Sequence, residues 1–384
     1  MPAILTASRL LWGAFTIISL GLVLVLTLGE QPVQGWPHTD FSRFEVPLEE
    51  FQKGGPMRDG IPALDAPVFE AAEAAASWLH GLEPVIALAR GDEARAYPLR
   101  ILLHHEIVND SVAGQPVVVT YCPLCDAARV YDRRPGGGGS TPLTFGTTGL
   151  LRQGALVMYD RQTESWWQQF TGSALVGTLS GTRLLPLPSQ VVAFRDFRET
   201  WPTGRVLSQQ TGHQRPYGRN PYRNYDRPTG KPMFIPQERL DTRWPPMERV
   251  LALSRGGQRY LYPFGTLEQQ RVVNVTTPGE PVVVLARLGV LSALDKSYTE
   301  YSRPILSAAA FEARLGDGRI LTFTGRDHGI YDRQTGSRWN HLGLALEGPL
   351  AGTRLRQCDE GVQFAFIGPL LGRGGEQAPI PVSP

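Results

Sequence analysis

The sequence is short of the side chains that most often carry reactive chemistry. Its 384 residues include 3 cysteines, 5 methionines and 7 histidines. There is no G-x-S-x-G, so the nucleophile turn of an α/β-hydrolase is absent. There is no H-E-x-x-H and no G-x-x-x-x-G-K-[ST], which excludes the zinc-protease helix and the phosphate-binding P-loop. No C-x-x-C-H offers a haem attachment. The glycine run in PGGGGS lacks the strand and helix that a phosphate loop needs. Charge of one sign is lacking too. Lys+Arg number 38 and Asp+Glu 36, and the basic residues do not cluster. Nucleic acid is therefore excluded as a partner.

The chain does have many turn residues and one long apolar run. Gly (42) and Pro (32) are interleaved with runs of V, I, L, Y, F and W. That mixture predicts a mainly β protein of many short strands, with some short helices. Leu10–Gly29 carries no charge, follows Arg9 and precedes Glu30. As a helix it would span about 30 Å, the hydrocarbon thickness of a bilayer. It is long for the apolar part of a signal peptide, and no A-x-A site follows it. An uncleaved anchor is therefore favoured over a cleaved signal. Arg9 orients the N-terminus inside, which places the bulk of the chain on the periplasmic or extracytoplasmic side as a single-pass protein of the cytoplasmic membrane.

The body contains itself twice. Residues 83–119 align without a gap on residues 248–284, ending in the shared PVVV. MYDRQTESWWQQ (158–169) matches IYDRQTGSRWNH (330–341), and VGTLSGTRL (176–184) matches EGPLAGTRL (347–355). Two pseudo-repeated β domains are expected after the N-terminal helix. The boundaries read as residues 1–9 on the cytoplasmic side, 10–29 as anchor, 30–80 as linker and helix, and 81–211 as the first repeat. A Pro/Tyr/Arg-rich crossover follows over 212–247, then the second repeat over 248–370 and a tail over 371–384. VFEAAEAAASWLH (68–80) is the clearest helical stretch by propensity. GDE and PGGGGS read as hairpin loops, and LRILLHHE as one or two helical turns.

Every soft or imidazole candidate of the first copy has a non-ligand counterpart in the second. His104 and His105 face Gln269 and Gln270, Cys122 and Cys125 face Arg287 and Val290, and Met158 faces Ile330. Two thiolates, one imidazole and one thioether would make a soft-metal site, and the thioether favours copper over zinc. The same C-x-x-C also reads as a static disulfide or as an exchange-active dithiol, although no long helix follows it. Adjacent histidines point in different directions, so at most one reaches the cysteines. Met158 also reads as an ordinary core residue. Cys358 reads as a buried, unreactive thiol. The motif YDRQT, kept in both copies with its Ser and Trp, serves the fold: Asp160 and Asp332 bond the following turn, and Trp167 and Trp339 bury area.

YCPLCDAARVYDRR, HHEIVND, TFGTTGLLRQGALVMYDRQTESWWQQ and NPYRNYD together resemble the bacterial and archaeal family catalogued as domain of unknown function 3179, over roughly residues 54–370. The resemblance implies an exported or membrane-attached β-rich protein without an established reaction. It also marks departures. Family members typically carry Gly after the second Cys and Ser-Gly before the leucines, where this chain has Asp126 and Thr148-Gly149. The expected function is a membrane-anchored, non-catalytic protein with a copper or disulfide site in the first repeat. The alternative is a structural accessory subunit, docked through protein contacts on a respiratory or photosynthetic membrane complex.

Overall fold

The computed structural model describes residues 35–137, 141–241, 243–255, 258–276, 280–327, 329–358, 360–371 and 376–377. The run Leu10–Gly29 lies outside them, as does most of the tail. Among the described residues no helix is long and apolar enough to cross a membrane. Contacts separate a short N-terminal unit, residues 1–38, from a body over Thr39–Pro384. Of the first unit only residues 35–38 are described.

The body is mainly β, built of several small sheets. Its first half runs β1 (Phe51–Lys53), β2 (Phe69–Ala71), α1 (Ala72–Ala75), β3 (Pro84–Arg90), β4 (Glu93–Pro98), α2 (Leu99–His105), β5 (Ile107–Val112), β6 (Gln115–Cys122) and β7 (Ala127–Asp132). It continues through β8 (Phe145–Arg152), β9 (Ala155–Asp160), β10 (Trp166–Gln168), β11 (Ser173–Val176), β12 (Gln190–Ala193), α3 (Phe194–Thr200) and β13 (Arg205–Leu207). The second half runs β14 (Arg249–Arg255), β15 (Gln258–Pro263), α4 (Phe264–Gln269), β16 (Val272–Thr276), β17 (Pro281–Leu291) and β18 (Pro304–Glu312). Then come β19 (Phe323–Arg326), β20 (Gly329–Asp332), β21 (Arg338–Trp339), β22 (Ala345–Glu347), β23 (Gly361–Phe364), α5 (Ile367–Leu371) and β24 (Glu376–Gln377).

Strand orders match between the halves. Sheet β12-β3-β4-β13-β2 stands against β23-β14-β15-β24, β5-β6-β7 against β16-β17-β18, and β1-β8-β9-β10-β11 against β19-β20-β21-β22. Local bonds match as well. Asp160 accepts from the Thr163 amide at 2.6 Å and the Trp167 indole at 2.9 Å. Asp332 accepts from Thr335 and Trp339 at the same distances. Asn109 brackets the backbone of Phe145 from both sides, and Asn274 does the same for Phe323. A carboxylate or amide buried under a large ring must find such partners, which is why these residue types recur together.

Two local expectations change. The Ala-rich stretch 68–80 forms helix only over Ala72–Ala75, because Phe69–Ala71 pairs antiparallel with Arg205–Leu207. A ladder to a distant strand outweighs the helix preference of alanine here. β7 and β8, the strands that flank PGGGGS, belong to different sheets and so do not pair as the expected hairpin. The GDE turn and α2 form where the sequence places them.

The largest apolar cluster draws Ile86, Tyr97, Leu102, Val119, Cys122 and Cys125 from the first half and Phe364 and Phe366 from the second. The crossover 212–247 packs Tyr222 and Tyr225 onto that cluster. It is tied down by Asn220 and Asn224, whose amides donate to Ser297 and Asp295 at 2.8 and 2.7 Å.

Candidate functional site

Strand β6 ends at Cys122, and the chain reverses through Pro123 and Leu124 into β7, where Cys122 stands opposite Ala127. The Cys125 amide donates to the Cys122 carbonyl at 3.1 Å. The next residue, Asp126, closes the turn at φ +47°. That is the left-handed region which glycine takes freely and Asp tolerates. The charge of Asp126 is matched by its neighbours. The Tyr121 hydroxyl donates to Asp126 at 2.7 Å, and Arg249 pairs with its other oxygen. Arg249 also reaches the buried Asp226 at 2.9 Å. The acidic side chain is therefore committed to an ion cluster that joins the CPLC turn to β14 and the crossover.

Cys122 and Cys125 are both buried, and their sulfurs stand 3.0 Å apart as free thiols. Burial pushes the Cys125 thiol well up, and the hydrogen bond with Cys122 adds to this. Two thiolates on one tetrahedral ion, with bonds of about 2.3 Å, stand about 3.8 Å apart. This pair is closer, so a metal would have to part the sulfurs.

The other expected ligands are not brought to them. Met158 is fully buried in β9, opposite Thr147 and Trp167, and packs with Phe145 and Ala174 rather than with the cysteines. His104 and His105 end α2 and diverge. His104 Nε2 donates to the Arg219 carbonyl at 3.0 Å. His105 Nδ1 lies 2.8 Å from the Pro62 carbonyl, which can only accept. Its Nε2 therefore accepts from the Tyr217 hydroxyl at 2.6 Å. Burial lowers His105 to about 4. Among the described residues no group of three or more His, Cys, Asp or Glu could hold a metal ion. Cys358 is half-buried against the second half's cluster, rather than fully buried.

What the fold does bring together is a cavity of about 140 Å³ that Cys122 lines and Cys125 does not. Leu150, Leu151, Leu156 and Phe234 make its apolar walls. Its polar side chains are Cys122, Glu106, Tyr222 and Thr147, and among the described residues no Lys, Arg or His lines it. Thr147 is already occupied, donating to the Ile61 carbonyl at 2.8 Å.

Glu106 follows α2 at φ +57° and is 7% exposed. Its carbonyl accepts from Tyr121 at 2.9 Å, so Glu106 and Cys122 leave the β5–β6 pair at the same end. Burial pushes its carboxyl up to about 8, so it is protonated at neutral pH. Burial likewise raises the Tyr222 phenol, with Glu106 and Cys122 adding to this. Neither the Glu106 carboxyl nor the Tyr222 hydroxyl has a hydrogen-bond partner among the described residues. A non-glycine residue with positive φ beside a cavity is a pattern common to functional sites.

Gly54, Gly55 and Pro56 lie over the cavity. The Gly54 amide donates to the Gly149 carbonyl at 3.1 Å. Gly149 has φ +76°, and a Cβ there would stand 1.9 Å from the Pro56 carbonyl, so no other residue lets this segment approach. The Thr148 hydroxyl accepts from the Leu150 amide at 2.9 Å and so holds the irregularity in the β8–β9 pairing.

Sequence reasoning missed Glu106, although the signal was present. The gap-free alignment puts Arg271 opposite it, the same kind of loss that marks the cysteines. Tyr222 and Gly54–Pro56 come from segments outside the repeat and carry no such signal. Neither the curated proteins nor the solved structures contain a match to this chain. Residues 58–368, which supply every wall of the cavity except Gly54–Pro56, match the family described as a protein of unknown function (DUF3179), and the chain belongs to that family.

Proposed function

We propose that the first half of the body carries a reactive thiol site. Cys122 is the working thiol, and Cys125 is the partner that closes it into a disulfide. The observation that carries the reading is the 3.0 Å sulfur contact, together with the exposure of Cys122 alone to the cavity. Exchange with an external disulfide would take both thiols to the Cys122–Cys125 bridge and release two small thiols, so electrons and protons balance. Thioredoxin-like geometry is not implied, because β7 rather than a helix follows the CPLC turn.

The second half is a copy of the same β domain that serves as scaffold, since its Gln269, Gln270, Arg271, Arg287 and Val290 offer no thiol or imidazole. Leu10–Gly29 anchors the chain, and the body works outside the cytoplasm, where such a pair is readily oxidised. A copper ion is the weaker second reading. It would have the two thiolates alone, because both histidines and Met158 are engaged elsewhere.

The test is thiol counting on the folded, full-length protein. After reduction, iodoacetamide should alkylate Cys122. After oxidised dithiothreitol, mass spectrometry should recover a Cys122–Cys125 bridge that Cys122→Ser abolishes. A reduced native protein in which Cys122 resists iodoacetamide, or which never forms the bridge, overturns the proposal.

A further inference from the structure

We infer that the cavity receives a small, uncharged carbonyl compound, whose oxygen lies between Glu106 and Tyr222 and whose carbonyl carbon faces the Cys122 thiol. The inference rests on the reading of Cys122 as a working thiol and names what that thiol acts on.

Two polar side chains of the lining make no hydrogen bond within the protein among the described residues, the carboxyl of the buried Glu106, at 7% exposure, and the hydroxyl of the half-buried Tyr222. Polar groups withdrawn from bulk water are almost always hydrogen-bonded, so a pair left open toward one space points to a ligand that completes them. The sign of that ligand follows from the walls. With no Lys, Arg or His in the lining, a carboxylate or phosphate would be desolvated without a counter-charge. An ammonium group would meet a carboxyl that is neutral at physiological pH. A neutral molecule with one strong acceptor fits both groups. A carboxylic acid held neutral by an apolar site, paired with a phenol, is an arrangement that stabilises an oxyanion.

Size narrows the class. The cavity, about 140 Å³, compares with the engineered cavity of about 150 Å³ that takes benzene. Nucleotides and peptide side chains with their backbone are too large. The Cys122 sulfur belongs to the same space and is the strongest nucleophile among the described residues that line it, the Thr147 hydroxyl being engaged with the Ile61 carbonyl.

The step needs no oxidant. The sulfur lone pair forms a carbon–sulfur bond, and the carbonyl π pair moves onto oxygen. That oxygen takes the Glu106 proton, and the thiol proton passes to the Glu106 carboxylate. The product is a hemithioacetal on Cys122, with Glu106 again protonated. Closure of the Cys122–Cys125 bridge would remove the nucleophile, so the oxidised protein takes no carbonyl compound.

The test uses reduced full-length protein and benzaldehyde labelled with carbon-13 at the carbonyl, followed by NMR. A hemithioacetal signal should saturate at one per chain and vanish in Cys122→Ser. Affinity should fall at least about tenfold in Glu106→Leu and in Tyr222→Phe, each of which deletes one donor. Glu106→Gln, whose amide donates again, should recover most of the loss. Benzoate should not compete. Continued alkylation of Cys122 by iodoacetamide, with a cooperative melt, shows that each variant is folded. The inference is overturned if the adduct forms equally well without both donors, if benzoate competes as well as benzaldehyde binds, or if no adduct forms while iodoacetamide still labels Cys122. If iodoacetamide fails to label Cys122 at all, the thiol reading itself has failed.

Discussion

Replacement of Glu106 by glutamine should stabilise the protein, and by an amount that grows with pH. The unfolded chain releases the Glu106 proton near 4.5, whereas burial holds it in the folded chain to about 8. Between those values the folded state binds the extra proton, so raising the pH favours unfolding. At 1.36 kcal/mol per pH unit, the carboxyl costs about 3 kcal/mol at pH 7 and about 5 kcal/mol above pH 8. Below about pH 4.5 the cost vanishes, because both states are protonated. Glutamine keeps the shape and never ionises. His105 works in the opposite direction. Burial lowers it from 6.5 to about 4, so the unfolded chain takes up its proton first and stability falls as pH drops through that window. It is present in both proteins and cancels in their difference. Urea unfolding of wild type and Glu106→Gln, compared from about pH 4 to about pH 9, should give a gap that opens between pH 4.5 and 8 and then levels. A gap that stays constant over the whole range would show that Glu106 is not held neutral. The carbonyl compound proposed for the cavity would then lose its acidic donor.

Gly149→Ala puts a Cβ 1.9 Å from the Pro56 carbonyl at φ +76°. It should cost about 2–4 kcal/mol in urea unfolding, and by lifting Gly54–Pro56 it should speed the alkylation of Cys122 in the native state. Asp160→Ala and Asp332→Ala remove matching sets of bonds from the two halves. Each should cost about 2–4 kcal/mol and leave the Cys122–Cys125 bridge unaffected, and a loss of bridge formation in one alone would refute a purely structural role for that residue. Arg249→Met strips Asp126 of its cation and Asp226 of one of its two. It should lower stability by about 3–5 kcal/mol at neutral pH and less in acid, where the Asp226 carboxylate, which Arg249 helps hold below its ordinary range, protonates, as a series of thermal melts would show.

Short-range physics was legible in the residues. Gly and Pro between β-rich runs announced a mainly β body. The GDE turn marked its hairpin, and Leu99–His105 its helix. The paired YDRQT motifs announced that Asp160 and Asp332 bond the turns that follow them, and the Thr163 and Thr335 amides donate to them; the bonds from Trp167 and Trp339 to the same carboxylates were not legible there. The fate of Phe69–Ala71 was not legible. Its partner strand lies far along the chain, and local alanine preference pointed the other way.

At the site, the sequence by itself singled out the residues that differ in chemistry between the two copies, because a substitution pattern survives without any knowledge of distance. Cys122 and Cys125 stood out that way, and Glu106 opposite Arg271 could have. Tertiary structure alone decided that Met158 belongs to a different part of the core and that both histidines are already hydrogen-bonded. It alone brought Tyr222 and Gly54–Pro56 to one cavity with Cys122. The reason is physical. A side chain's chemistry is written in its own residue, but its desolvation and its partners depend on segments that only folding brings near.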